Sequence, residues 1–143
     1  MLSNAKRLTL RSELTSVPQT RVYAVLDGAS VPSLPARLAR AEVPHVCLYR
    51  GELAPDLAQV APYLAQVSPG TRFLDWLLEE GWGRHWGIFA ITGADLRLLR
   101  RHFRSFLLVK NPEGRQLYFR FYDPRVLRSY LPGCTEDERA QVF

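Results

Sequence analysis

Cysteine, lysine and long hydrophobic runs are all scarce in this sequence. The chain of 143 residues has two cysteines, Cys47 and Cys134, which lie far apart and form no CxxC pair. The sequence therefore predicts neither a zinc site nor a disulfide framework. No stretch approaches the ~18 consecutive apolar residues of a membrane span, and residues 1–20 have no apolar signal-peptide run. We therefore expect a cytoplasmic protein in a reducing compartment, with no membrane span.

Apolar residues are plentiful, and they predict the fold class. At 47% hydrophobic residues, the chain can bury a core without metals or disulfides. Its apolar segments predict a single compact α/β domain, with a mixed β-sheet of about five to six strands and helices packed against it. We expect an N-terminal extension with helical character at 1–20, the α/β lobe at 21–132, and the start of a C-terminal helix or second lobe at 133–143.

The best-defined elements lie in the first half of the chain. The run Arg21–Asp27 is apolar, β-branched and aromatic, which indicates a buried strand. A helix follows to about residue 42, and residues 45–49 predict a second strand, an order that favours a parallel βαβ unit. Thr71 is the expected N-cap of a helix to Glu80, and Asp95 begins another helix that reaches about Arg104.

The C-terminal third predicts two antiparallel strands, at 106–110 and 115–122, joined by a turn at 111–114. In the second strand, Leu117, Phe119 and Phe121 alternate with Tyr118, Arg120 and Tyr122. One face is then expected to pack in the core, and the other offers an arginine between two tyrosines. Asp123 caps the next helix, with Pro124 at its first position.

Asp27 is the first candidate for catalysis, because it ends a strand at a glycine turn, where open α/β sheets place ligands. No second acid, GxGxxG or GxxxxGK[ST] pattern follows Gly28, so Asp27 and Gly28 are better interpreted as a structural turn. The histidines His45, His85 and His102 have no HExxH or CxxH spacing, and no GxSxG surrounds a serine. The sequence therefore predicts no catalytic residue, metal ligand or cofactor.

A basic stripe runs along the helix after Asp95. Its arginines are Arg97, Arg100, Arg101 and Arg104, spaced i, i+3, i+4 and i+7. Such a stripe can neutralise phosphates, but no matching stacking platform accompanies it, so we predict no nucleic-acid partner. A solvated face is the simplest interpretation, and contact with an acidic protein surface is the second.

The corner from Arg120 to Arg125 is the other candidate for recognition. Structurally, Asp123 and Pro124 set the exit angle of the strand, and Arg120 can pair with an acid such as Asp27. Functionally, Arg120, Tyr122 and Arg125 can form a partner-binding surface together with the basic stripe.

Several segments, taken in order, resemble the effector chaperone or adaptor family of bacterial type VI secretion, of the Tap or Tec type, catalogued as a domain of unknown function. They are 23–29, 47–51, 61–64, Trp76-Leu77, 81–83, 102–104, 119–127 and Leu131-Pro132. The strand-to-helix segment ending in Asp-Pro-Arg-Val-Leu is the most specific of them, and the similarity corresponds to the N-terminal lobe of the family.

The resemblance implies a non-enzymatic protein that binds a secreted effector in the cytoplasm and helps to load it onto the VgrG spike. The implied partners are the effector and the C-terminal region of VgrG. It implies no catalytic residues and no cofactor. The alternative from another class is a small α/β hydrolase or nucleotide-binding enzyme centred on Asp27, which requires a second acid or a base within reach of that carboxylate.

Overall fold

Residues 2–143 are described by a computed structural model, and within them the chain forms seven α-helices and six β-strands. The helices are α1 (Asn4–Leu14), α2 (Leu34–Ala41), α3 (Pro55–Val60), α4 (Arg72–Glu80), α5 (Leu96–Ser105), α6 (Pro124–Tyr130) and α7 (Glu136–Val142). The strands are β1 (Arg21–Asp27), β2 (His45–Cys47), β3 (Pro62–Gln66), β4 (Gly87–Thr92), β5 (Leu108–Lys110) and β6 (Gln116–Tyr118). None of the helices in residues 2–143 is long and apolar enough to cross a membrane.

The strands confirm the predicted α/β class but divide into two sheets. One has the order β2-β3-β1-β4, and the other is the β5-β6 hairpin. Every pairing is antiparallel, so the expected parallel pairing of β1 with β2 is wrong. These two strands do run in the same direction, but β3 lies between them. The short helix α3 returns the chain, and β3, which is almost fully buried, takes the inner position.

Strand β1 is buried on both faces, which explains its unbroken apolar run. Val22, Ala24 and Leu26 face a cluster that contains α2 and α4. Tyr23 and Val25 face a second cluster that contains α5 and the segment around Phe121. Since successive side chains of a strand point to opposite faces, a strand covered by helices on both sides needs apolar residues throughout. The fold is therefore three-layered, and Asp27 ends one of the two inner strands of the sheet.

The helix caps agree with the sequence. The Thr71 hydroxyl accepts a hydrogen bond from Leu74 N, and the Asp95 carboxylate accepts one from Leu98 N, so each satisfies a free donor of the first turn. In the N-terminal segment, Leu2 and Leu14 are buried in the first core cluster. Helix α1 also forms two ion pairs with α4, Arg7 with Glu79 and Arg11 with Asp75. Met1 lies outside the described residues.

Candidate partner-binding surface

Asp27 is the centre of a buried polar junction between the sheet and the C-terminal segment. It is 1% exposed. Its carboxylate accepts hydrogen bonds from Ala29 N at 2.9 Å, Ser30 Oγ at 3.1 Å and Arg120 Nη2 at 2.6 Å. The first two bonds close the turn after β1, and the third joins residues 93 positions apart in the chain. The pairing of Arg120 with Asp27 anticipated from the sequence is therefore present.

The neighbouring glycine is structural as well. Gly28 N donates to Ala61 O at 3.0 Å, which extends the pairing between β1 and β3 by one step. A Cβ atom at position 28 would lie 2.4 Å from Ala61 O and 2.7 Å from Gln59 O. Backbone atoms cannot withdraw as a flexible side chain can, so this turn requires glycine at position 28.

Tyr122 is buried, and this corrects its assignment to an exposed recognition face. It is 3% exposed and packs in the second core cluster. Burial raises its pKa, and the nearby Tyr49 and Asp27 raise it further. The Arg120 guanidinium lies 5.9 Å from the centre of its ring. Tyr122 therefore supports Arg120 from inside the protein.

Arg120 itself is partly exposed, at 46% of its side chain. Burial disfavours its charge, but the Asp27 carboxylate and the Tyr122 hydroxyl outweigh that effect, so the pKa of Arg120 is raised. Its guanidinium is thus held in place by internal contacts, with one side open to solvent.

Arg125 and Asp123 form a second local pair. Asp123 is buried and caps α6 by accepting from Arg125 N at 2.9 Å, and Pro124 occupies the first helical position as predicted. The Arg125 side chain also donates to Asp123, with Nε–Oδ1 at 3.1 Å and Nη2–Oδ2 at 2.9 Å. These hydrogen bonds lower the pKa of Asp123 against the opposing effect of its burial. Arg125 is thus largely occupied by the cap.

One arginine of the basic stripe does not face solvent freely. Arg104 donates through Nε to Leu48 O at 3.1 Å, and through Nη2 to Cys47 O at 2.8 Å and Tyr49 O at 3.3 Å. Burial, together with the charges of Arg100 and Arg50, lowers the pKa of Arg104. Arg104 therefore fastens α5 to the chain at the end of β2.

The remaining arginines of the stripe do not join the C-terminal corner in one site. Arg97 and Arg100 line a shallow groove of about 410 Å³ beside Val46, and Arg101 is exposed. Arg125 lines a different groove, of about 610 Å³, on α6. The predicted set is thus distributed over separate parts of the surface.

The β5-β6 hairpin is far more exposed than its alternating pattern predicted. Leu108, Val109, Leu117 and Tyr118 are 46%, 38%, 45% and 60% exposed. Strand β6 ends at Tyr118 and not at Tyr122, because the chain turns there and Asp123 N donates to Arg120 O at 3.0 Å. Beyond it, Phe119, Phe121, Tyr122 and Leu127 enter the second core cluster. When a two-stranded ribbon has apolar residues on both faces, only one face can pack against the rest of the protein, and the other stays exposed.

A groove of about 540 Å³ lies against this hairpin, and we call it the hairpin groove. Its apolar lining includes Leu53, Leu57, Leu108 and Tyr118, and its charged lining residues are Arg50 and Arg104. The Tyr118 ring packs on Tyr49 with 5.5 Å between centroids. No carboxylate lines the groove, so its electrostatics favour an acidic ligand.

Sequence reasoning missed the hairpin groove. Alternation within one strand indicates two faces, but it does not say whether either face is covered. The available signal was the pair of adjacent apolar residues on each strand, Leu108-Val109 and Leu117-Tyr118, since these place apolar groups on both faces of a ribbon. Within residues 2–143, no group of three or more histidines, cysteines and carboxylates is placed to hold a metal ion.

Comparison with known proteins gives one match. No curated protein and no solved structure matches the chain. The family described as "Domain of unknown function (DUF4123)" matches residues 22–141, which include the four-stranded sheet except Arg21, the hairpin and helices α2 to α6. Because this match covers most of the 143 residues, the chain belongs to the DUF4123 family.

Proposed function

We propose that this protein is a non-enzymatic adaptor that binds a type VI secretion effector and assists its loading onto the VgrG spike. The type VI assignment rests on the resemblance of segments 23–29 and 119–127, among others, to effector adaptors. The observation that supports a binding role is the hairpin groove, in which apolar side chains remain exposed beside two arginines.

The chemistry of the hairpin groove suits a protein client. Contiguous exposed apolar surface mostly marks an interaction site, and tyrosine and arginine are the residues enriched among energetic hot spots. Tyr118 is held by its contact with Tyr49, and Arg104 is fixed by three backbone carbonyls, so both are ordered before a client arrives. Preordered side chains lose less entropy on binding. The client segment expected here combines apolar and acidic residues.

The alternative of an enzyme centred on Asp27 has no supporting observation. General acid-base chemistry needs a carboxylate that can reach a substrate. Three donors occupy the Asp27 carboxylate, and the residue is 1% exposed. Its partners are a backbone amide, a hydroxyl and an arginine, and these contacts support a structural role for the carboxylate.

The proposal is tested by co-purification with the effector encoded beside this gene. The variant Leu57→Ser/Tyr118→Ala alters two exposed side chains of the hairpin groove, and Leu8→Ser, at an exposed position on α1, is the matched control. We expect the double variant to lower client affinity by roughly tenfold or more, because hot-spot truncations cost about 1–2 kcal/mol each. Full recovery of the client by the double variant would show that the hairpin groove is not its site.

A further inference from the structure

The outer edge of β4 is an unpaired strand edge. The pair Asp27–Trp86 is hydrogen-bonded, since Asp27 N donates to Trp86 O at 2.8 Å. The register of β1 with β4 then makes Val25–Ile88 and Tyr23–Ala90 hydrogen-bonded pairs too, because such pairs alternate along an antiparallel ladder. The backbone N–H and C=O groups of the intervening β4 residues, Gly87, Phe89 and Ile91, therefore point away from β1.

These outward groups have no hydrogen-bond partner among residues 2–143. Proteins usually protect such edges with charged side chains, proline or a bulge. The sequence of β4, Gly-Ile-Phe-Ala-Ile-Thr, contains no charge and no proline, and its register with β1 runs without interruption. Ile91 is 42% exposed at this edge.

The opposite edge of the same sheet is blocked, which gives an internal comparison. Strand β2 has only three residues and follows Pro44. Because Leu48 N donates to Pro62 O, the alternation directs the carbonyls of Cys47 and Tyr49 outward, and Arg104 Nη2 binds both of them. One edge is thus closed by the protein's own side chain, while the β4 edge is left available.

A cavity of about 360 Å³ adjoins the β4 edge. Its walls include Leu77, Trp82, Trp86 and Phe89, and Arg128 of α6 lines it on the other side. In the neighbouring loop, Gly83 and His85 adopt positive φ, at 82° and 60°. The cavity can accept one apolar side chain of a strand that lies along β4.

The charges at the two ends of the edge are positive. Arg128 lines the cavity near its start, and Arg21, the register partner of Thr92, lies at its far end. Asp95 follows β4, but its carboxylate caps α5 by accepting from Leu98 N. No carboxylate lines the adjoining cavity. Complementary charge therefore favours a strand with acidic residues at both ends.

We propose that the outer edge of β4 binds an extended client segment by strand addition, with an apolar side chain in the adjoining cavity and acidic residues at its ends. The inference rests on the proposed function, because the segment belongs to the adaptor's client. Main-chain hydrogen bonds supply affinity in this binding mode, and the pocket supplies specificity.

A defined peptide tests the edge directly on the full chain. The probe is fluorescein-labelled Asp-Val-Thr-Val-Thr-Val-Asp, and its binding is followed by fluorescence anisotropy. Two further forms of the peptide carry N-methyl groups on alternate residues. In one form the odd-numbered residues are methylated, and in the other the even-numbered residues are methylated. We expect the parent peptide to bind, one methylated form to bind roughly tenfold or more weakly because its donors to β4 are lost, and the other to retain affinity. Absence of binding, or equal binding by all three forms, would overturn the proposal.

Variants of the exposed Ile91 provide the matched protein control. Ile91→Pro removes one outward N–H, and Ile91→Thr keeps it while altering the same side chain. Only the proline variant is expected to weaken parent-peptide binding, by roughly threefold to tenfold. Equal affinities of the two variants would count against strand addition, and if Ile91→Pro fails to fold, the methylated peptides on the unmodified protein decide.

The outcomes also separate this inference from the proposed function. If the unmodified protein captures the effector but not the peptide, the β4 site is wrong and the adaptor function stands. If the peptide binds with the expected methylation pattern and the effector is not captured, the adaptor function is wrong and the edge remains a strand-binding site.

Discussion

Replacing Arg120 with methionine removes the guanidinium that pairs with the Asp27 carboxylate and keeps most of the aliphatic stem. Asp27, which is 1% exposed in the unmodified protein, would keep only the neutral donors Ala29 N and Ser30 Oγ as partners of its carboxylate. An unpaired charge at this position is costly, because water cannot replace the missing donor without entering the junction.

The loss of stability expected for Arg120→Met follows from the geometry of the ion pair. At the 2.6 Å separation of Arg120 Nη2 and Asp27 Oδ2, Coulomb's law gives about 1.6 kcal/mol in water and about 6 kcal/mol at an effective dielectric constant of 20. Loss of one partner from a fully buried pair costs about 3–5 kcal/mol. The Arg120 side chain is 46% exposed, so solvent screening reduces this figure, and we expect about 2 kcal/mol. For 143 residues that is a fall in melting temperature of about 7 °C.

A double-mutant cycle with Asp27→Asn isolates the pair. Free energies of unfolding are measured by urea denaturation for the unmodified protein, Arg120→Met, Asp27→Asn and the double variant, and calorimetry gives the melting temperatures. The asparagine removes the charge that Arg120 balances, so the double variant should be less destabilised than the sum of the single variants by at least about 1 kcal/mol. Additive effects, or a loss below about 0.5 kcal/mol in Arg120→Met, would refute the reasoning.

Two further predictions concern the other arginine contacts. Arg104→Ala should lower the free energy of unfolding by about 2–3 kcal/mol in urea denaturation, because it leaves backbone carbonyls at the end of β2 without donors, whereas the exposed Arg101→Ala should change it by less than about 0.5 kcal/mol. The lowered pKa of Asp123 means that its pair with Arg125 stabilises the fold fully above the unfolded pKa of about 3.9 and progressively less as pH falls through the folded value. The stability difference between the unmodified protein and Asp123→Asn should therefore be constant from pH 7 to 5 and shrink below about pH 4; a difference of undiminished size at pH 2 would contradict it.

Local signals in the sequence predicted the helices and strands well, but they did not predict the order of the strands in the sheet. Caps such as Thr71 and Asp95 act within one turn of their own helix, so their roles could be inferred from neighbouring residues. The insertion of β3 between β1 and β2 depends on pairings between distant segments, which apolar periodicity does not encode.

The difference between local and non-local signals also explains which site residues were assigned correctly from the sequence. Arg104 shares the helical spacing of the basic stripe, but its position at the end of α5 brings it to the carbonyls of 47–49. Arg120 and Tyr122 were assigned to one exposed strand face, yet the chain leaves the strand at Tyr118, and Tyr122 turns inward. The pairing of Arg120 with Asp27 was named as one structural alternative, since a strand-end carboxylate and an arginine carry complementary charge, but charge alone does not identify which arginine pairs.

The link between Asp27 and Arg120 also constrains when the protein can fold during its synthesis. The first strand leaves the ribosome early, but its terminal carboxylate lacks its cationic partner until residue 120 has also emerged from the exit tunnel. The hairpin lies in the same late segment, and so does Phe121, which joins Tyr23 and Val25 of β1 in the second core cluster. Nascent chains released shortly before this point would hold an incomplete junction and one uncovered face of β1. Cooperative folding of this domain is therefore expected to begin only after the segment around residue 120 has left the exit tunnel.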